Sequence, residues 1–442
     1  MMPQPFAARR AALLDHLQQH GGGLAIIPTA NEQIRNRDAH HPYRPDSYFH
    51  YLTGFDEPEA VLLLIAPWEG ATAQSILFCR AKDADKEVWD GFRHGPAAAC
   101  TRFGFDAGHP IAEFDQRLAE LLGDQPALWY SLGHDAAWDA RITQALNTVR
   151  GQARSGTRAP ARLQDVRTVL DEMRLIKDGS EIDRMRQAAR ISAAAHRRAM
   201  RFTRGGLFEY EIEAELLHEF RRHGCQAPAY TSIVAGGAHA CTLHYVANDQ
   251  PLKDGELLLV DAGGEFDGYA ADITRTWPVN GRFSTAQAEV YQLVLDAQSA
   301  AMAAIRPGAT FLEPHTAAVR VLAQGLLDLH LLQGSLDSVL ETEAYKRFYM
   351  HRTSHWLGRD VHDAGDYKHG EQWRLLEAGM MLTVEPGCYI RAADDIPLAF
   401  HNLGVRIEDD ALVTPAGCDI ITHDAPKTIV DIETMMAEGR HG

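Results

Sequence analysis

Leu257-Leu258-Leu259-Val260-Asp261 and Tyr269-Ala270-Ala271-Asp272-Ile273-Thr274 are two apolar runs, each carrying an aspartate. Between them lies Gly263-Gly264-Glu265-Phe266-Asp267-Gly268, a stretch suited to reversing the chain. A hairpin centred near Phe266 and Asp267 sets Asp261 directly opposite Asp272. Directly opposed side chains on one sheet face have Cβ atoms about 4.5–5.5 Å apart. Two ionised carboxylates that close raise each other's pKa unless a cation sits between them. The plainer alternative is a solvated hairpin with two surface aspartates. Asp261, closing four apolar residues, is expected to be at least partly buried.

Three further clusters lie outward from this pair. His351-Arg352-Thr353-Ser354-His355-Trp356-Leu357-Gly358 is followed by His362. The i, i+4 spacing of His351 and His355 fits one helix face, whereas Gly358 and the missing periodicity fit a loop or strand equally. In Thr383-Val384-Glu385-Pro386-Gly387, proline pushes Glu385 toward extended backbone and Pro-Gly marks a turn. In Gly404-Val405-Arg406-Ile407-Glu408, alternation separates the apolar from the charged side chains. Taken singly, Glu385 reads equally as a rim charge, and Arg406 and Glu408 as a solvated strand face. Together, Asp261, Asp272, His355, Glu385 and Glu408 form a hard, oxygen-rich set that favours Mn²⁺, Mg²⁺ or Co²⁺ over a thiolate zinc site. Two divalent cations would neutralise the four carboxylates, and such a pair suits hydrolysis by a metal-bridging hydroxide.

The rest of the chain limits the alternatives. It has 442 residues with 45% hydrophobic and 23% charged, enough for two or three globular domains. Its formal charge of −17 argues against nucleic acid and anionic membrane as partners. No apolar run approaches the roughly 18 to 20 residues of a membrane span, and residues Met1 to Leu13 lack a signal-peptide core. Six dispersed cysteines suit a reducing compartment, so a cytoplasmic location is expected.

Runs at Gly23–Pro28, Val61–Ala66, Ser75–Cys79 and Ala127–Leu132 read as buried strands, and Phe6–Gln19 and Ala112–Leu122 as helices. A small α/β domain is therefore expected first. A joint follows at Gln164–Lys177, with Ser180 as N-cap of the next helix and Asp183 completing a capping box. A helix over Phe208–His223 should end at Gly224. Strands at Leu257–Asp261, Tyr269–Trp277, Met381–Tyr389 and Gly404–Val413 surround a helical block from about Thr285 to Leu340. The whole predicts an α+β fold with a mostly antiparallel, curved sheet backed by helices.

The order Asp261, Asp272, His355, Glu385, Glu408 resembles the dinuclear metal set of the pita-bread metallopeptidases. Val-Asp-Ala-Gly-Gly, Asp-Ile-Thr-Arg-Thr, Ser-His-Trp-Leu-Gly, Asp-Val-His-Asp, Val-Glu-Pro-Gly and Arg-Ile-Glu-Asp are similar to the strings of the bacterial aminopeptidase P group. Arg44-Pro-Asp-Ser-Tyr-Phe-His-Tyr-Leu-Thr-Gly-Phe55 is similar to the creatinase-like N-terminal domain of that group. The resemblance implies a creatinase-like α/β domain over residues 1–175 and a pita-bread catalytic domain over 176–442. It implies two divalent ions, Mn²⁺ first, with Co²⁺ or Zn²⁺ as alternatives. Asp261 would chelate one ion, Asp272 and Glu408 would bridge both, and His355 and Glu385 would complete the set. Glu385 would also handle protons.

His244 and His362 match positions that contact substrate and stabilise the oxyanion, and His351 would line the site. Tyr230, Arg406 and Tyr389 match positions behind the ligands. The implied reaction is hydrolysis between a first residue and a following proline, on peptides with proline second. The implied assembly is a homodimer or homotetramer, with Trp89 reaching a neighbouring subunit. The nearest alternative is prolidase, which cuts Xaa-Pro dipeptides only.

Overall fold

Short apolar runs that are buried on both sides form the first sheet. The computed structural model describes residues 5–68, 70 and 72–440, and divides into two units, Met1–Met173 and Arg174–Gly442. In the first, six strands lie in the order Ala107–Pro110, Gln74–Cys79, Val61–Ala66, Gly23–Pro28, Ala127–Trp129, Arg162–Gln164. Val61–Ala66 pairs antiparallel with both its neighbours, and the outer pairings are parallel. Alternation sorts the side chains: Ala25, Ile27, Leu62 and Leu64 join Leu13 and Leu17 of helix Phe6–Gln19 in one layer. Leu24, Ile26, Val61 and Leu63 face helices Phe114–Leu122 and Ala136–Gly151 in the other. The expected strand Ala127–Leu132 stops at Trp129, and the expected helix from Ala112 begins at Phe114 after a 3-10 turn.

The second unit opens on a helix, Gly179–Phe202, whose cap lies two residues before the expected Ser180. Asp178 accepts from the Ser180 and Glu181 amides, and Glu181 reaches back to the Asp178 amide. Both candidates have an acid three residues on, but Asp178 has Glu181, the longer side chain that the capping box uses, where Ser180 has Asp183. Helix Glu209–Arg222 follows and the chain turns at Gly224, with φ of +92°.

Each strand pairing described in this unit is antiparallel. Three expected strands are each split in two. Tyr269–Ala270 and Thr274–Pro278 are separated around Asp272. Met381–Val384 and Gly387–Ile390 are separated at Glu385, and Leu403–Arg406 and Asp409–Thr414 at Glu408. The helical block resolves into Thr285–Ala304, Glu313–Asp328 and Leu336–Glu341. Trp277, Tyr291 and Trp356 are fully buried in the core between these helices and the strands.

Candidate metal centre

Asp267 and Gly268 have φ of +53° and +75°, the two left-handed residues of a type I′ hairpin turn. Phe266 pairs with Tyr269, and in the longer strands Asp261 pairs with Thr274, not with Asp272. The hairpin is thus centred one residue later than Phe266 and Asp267. The Asp-Gly pair was the signal that fixed it. Asp272 nevertheless reaches Asp261, because the break in its strand frees it from the ladder. The Tyr230 hydroxyl lies 2.5 Å from Asp261 Oδ1 and 2.5 Å from Asp272 Oδ1.

The histidine segment runs extended alongside Met381–Val384, so His351 and His355 share no helix face. The Thr383 amide donates to the His355 carbonyl, the Glu385 amide to the Thr353 carbonyl, and Trp356 bridges Leu382. His355 Nδ1–H donates to the Trp356 carbonyl at 2.9 Å. That leaves Nε2 facing Asp272 Oδ2 at 3.4 Å and Glu385 Oε1 at 3.7 Å. Asp272, His355 and Glu408 each offer a ligand atom within 4.8 Å of the others.

A single guanidinium organises the far side. Arg406 Nη2 donates to Asp261 Oδ2 at 2.7 Å, Nη1 to the Tyr389 hydroxyl at 3.0 Å and Nε to Thr274 Oγ1 at 3.0 Å. The Thr274 hydroxyl in turn donates a hydrogen bond to Glu408 Oε2 at 2.6 Å. Tyr389 lies 2.9 Å from His351 Nε2, whose Nδ1 faces the Arg352 carbonyl at 2.8 Å. The His355 and His362 rings meet edge to face, 4.2 Å between centroids. His244 is exposed in an irregular segment, yet its field reaches both His351 and His362.

These surroundings set the protonation of the site. Burial raises Glu385 to about 7 against the pull of His355 and Arg406. Burial and the Asp272 charge raise Glu408 well above the carboxylate range, and burial raises Asp272 despite His355. Burial works to lower His355, but Asp272 and Glu385 carry it up to about 9. Burial, then Arg406, holds His351 at about 3, and burial with His355 and His244 lowers His362.

The arrangement fits divalent cations. Four carboxylates face one guanidinium. Tyr230 has one proton for two carboxylate oxygens. His355 Nε2 points at two carboxylates, an arrangement that needs either its own proton or a cation between them. Asp261, Asp272, His355, Glu385, Glu408, Tyr230, Arg406, Tyr389, His351 and His362 are linked by hydrogen bonds, ion-pair distances or ring contacts, whereas His244 makes no such contact with them and is exposed. Two participants were not foreseen, Thr274 and Asp410. The Asp410 carboxylate accepts the Asp272 amide at 3.1 Å and is fully buried. Its signal was a second and third acid directly after Glu408; Asp409 proves to be paired with Arg275 and Lys427 instead.

The family model for metallopeptidase family M24 matches residues 183–415, and that for the aminopeptidase P N-terminal domain matches residues 6–129. The Xaa-Pro aminopeptidase of Escherichia coli (strain K12) is 42% identical over 437 residues, covering 99% of this chain and 98% of the relative. That of Haemophilus influenzae is 43% identical over 433 residues, covering 98% and 97%. Among solved structures, aminopeptidase PepP of Pseudomonas aeruginosa gives a TM-score of 0.97 at 47% identity over 100% of both chains.

Proposed function

The chain belongs to metallopeptidase family M24, and we propose that it removes the first residue from peptides whose second residue is proline. The observation that carries this reading is the meeting of Asp261, Asp272 and Glu408, all buried, with the partly buried His355 and Glu385, in a chain similar along its length to Xaa-Pro aminopeptidases. We assign those five residues to two divalent cations, with Mn²⁺ favoured by the oxygen-rich set and Co²⁺ or Zn²⁺ as alternatives. When bound, such ions polarise a carbonyl and acidify water.

The chain's own groups do the rest. A bond before proline has no N–H, and the ring crowds the carbonyl. A site that needs no donor from that nitrogen can accept it. Glu385 holds and releases a proton at its carboxylate while the proline nitrogen leaves. His351, kept neutral, lines the site with its Nδ1 held by Arg352 and its Nε2 by Tyr389. His244 and His362 face the substrate carbonyl and favour its oxyanion. Arg406, Tyr230 and Tyr389 hold the carboxylates and imidazole in place.

Residues 1–175 and 176–442 are read as the N-terminal and catalytic domains, supported by the division after Met173. The six free cysteines support a cytoplasmic location. No described helix is long and apolar enough to cross a membrane. Val88, Trp89 and Phe92 are 81%, 87% and 65% exposed in the first unit, which supports a homodimer or homotetramer; a monomer in sedimentation velocity would contradict that.

Chelator-stripped protein resupplied with Mn²⁺ should release the first residue of an Xaa-Pro-Yaa tripeptide and cut the matching dipeptide slowly. Cleavage of the dipeptide alone would move the activity to prolidase. Cleavage of neither would contradict a peptidase.

A further inference from the structure

The segment 237–250 carries His244 but has little regular structure of its own, a 3-10 turn at Gly237–Cys241 followed by bends. It is gathered on a carboxylate that no step above uses. Glu209, the first residue of helix Glu209–Arg222, has a side chain with 0% exposure. Its Oε1 accepts from the Gly236 amide at 2.8 Å and lies 3.3 Å from His239 Nδ1. Its Oε2 accepts from the Tyr245 hydroxyl at 2.8 Å and the Gln250 amide at 3.0 Å. Both ends and the middle of the segment therefore converge on one side chain. The His239 and Tyr245 rings stack, 4.5 Å between centroids and 11° between planes, with Tyr245 adjoining His244.

We propose that Glu209 is a positioning residue whose buried carboxylate fixes the 237–250 segment so that His244 meets the substrate. This rests on the reading of His244 as a substrate contact. A carboxylate offers about four acceptor sites on two oxygens, and four donors occupy them here. A glutamine turns one oxygen into an NH₂ that cannot accept from Tyr245 and Gln250, so the same set cannot form. Misplacing a contact group by about 1 Å costs up to about 10²-fold in rate.

The test compares Mn²⁺-loaded wild type, Glu209→Gln and Tyr245→Phe on an Xaa-Pro-Yaa tripeptide, each with and without His244→Ala. Amide exchange of residues 237–250 is followed in the same proteins. Glu209→Gln should lower kcat about tenfold or more with metal content unchanged, and Tyr245→Phe should lower it a few-fold. Both should be silent within about twofold once His244 is alanine, and both should speed exchange across 237–250. Undiminished losses in the His244→Ala background, a wild-type kcat, or unchanged exchange would overturn the proposal. Tyr245→Phe removes a single hydroxyl and carries the comparison if Glu209→Gln does not fold. If wild type cleaves no Xaa-Pro peptide, the functional reading falls. Exchange then decides separately whether Glu209 holds the segment.

Discussion

Arg406 spends each of its three nitrogens on a different partner, Asp261, Tyr389 and Thr274. A lysine at this place has one nitrogen and no fork, so it cannot serve all three. Arg406→Lys should weaken metal affinity or activity about 10- to 100-fold, read by metal titration; unchanged affinity and rate would contradict the role given to it. His196 makes a different residue-scale prediction. It is fully buried, and its Nε2–H donates to the Ala262 carbonyl at 3.0 Å. Burial, only partly offset by that carbonyl, holds its pKa at about 4 against 6.5 ordinarily. Between those values the unfolded chain binds a proton that the folded chain refuses, so acidification favours unfolding. The contribution, of order a few kcal/mol, is complete above pH 6.5 and is lost towards pH 4. In chelator-treated protein, His196→Gln should flatten the fall in melting temperature across that window; equal slopes would count against it. At this scale the sequence was most legible where residue type is itself the signal, as for the five metal-set positions. Thr274 and Asp410 escaped because a hydroxyl or a third acid inside an apolar strand carries no distinguishing period.

The strands of the second unit break at Asp272, Glu385 and Glu408, the three carboxylates that must leave the ladder to converge. Hydrophobic runs give the extent of each strand but not the interruption, since the residues on both sides of each break stay buried. That is why continuous strands were expected. The hairpin centre was misplaced for a related reason, a preference for the middle of the turn-rich stretch over the Asp267-Gly268 pair.

Close approach is the cost of this geometry. A Cβ on Gly263 would fall 1.7 Å from the Ala271 carbonyl oxygen, between the segments that carry Asp261 and Asp272. Gly263→Ala should therefore destabilise the fold by a few kcal/mol and weaken metal binding. Gly151→Ala, at the end of a helix with nothing within 4 Å of the added atom, should stay within about 0.5 kcal/mol. Equal melting temperatures for the two variants would contradict this account of the break.

Across the whole molecule, the split into a small α/β unit and a larger antiparallel unit was readable from the change in pattern, because buried two-sided strands and amphipathic helices alternate in the first and not in the second. What the pattern could not supply was how distant segments meet, since Tyr230, Asp272 and His355 become neighbours only through the tertiary fold. The proposal that the carboxylates and imidazole between residues 261 and 408 hold two cations is also tested at this scale. The most direct measurement adds Mn²⁺ stepwise to the chelator-stripped chain and follows bound metal and Xaa-Pro-Yaa cleavage in the same samples. Cleavage should rise to a plateau at about two bound ions per chain, the number that offsets four carboxylates. Saturation without cleavage, or full cleavage in metal-free protein, would contradict it.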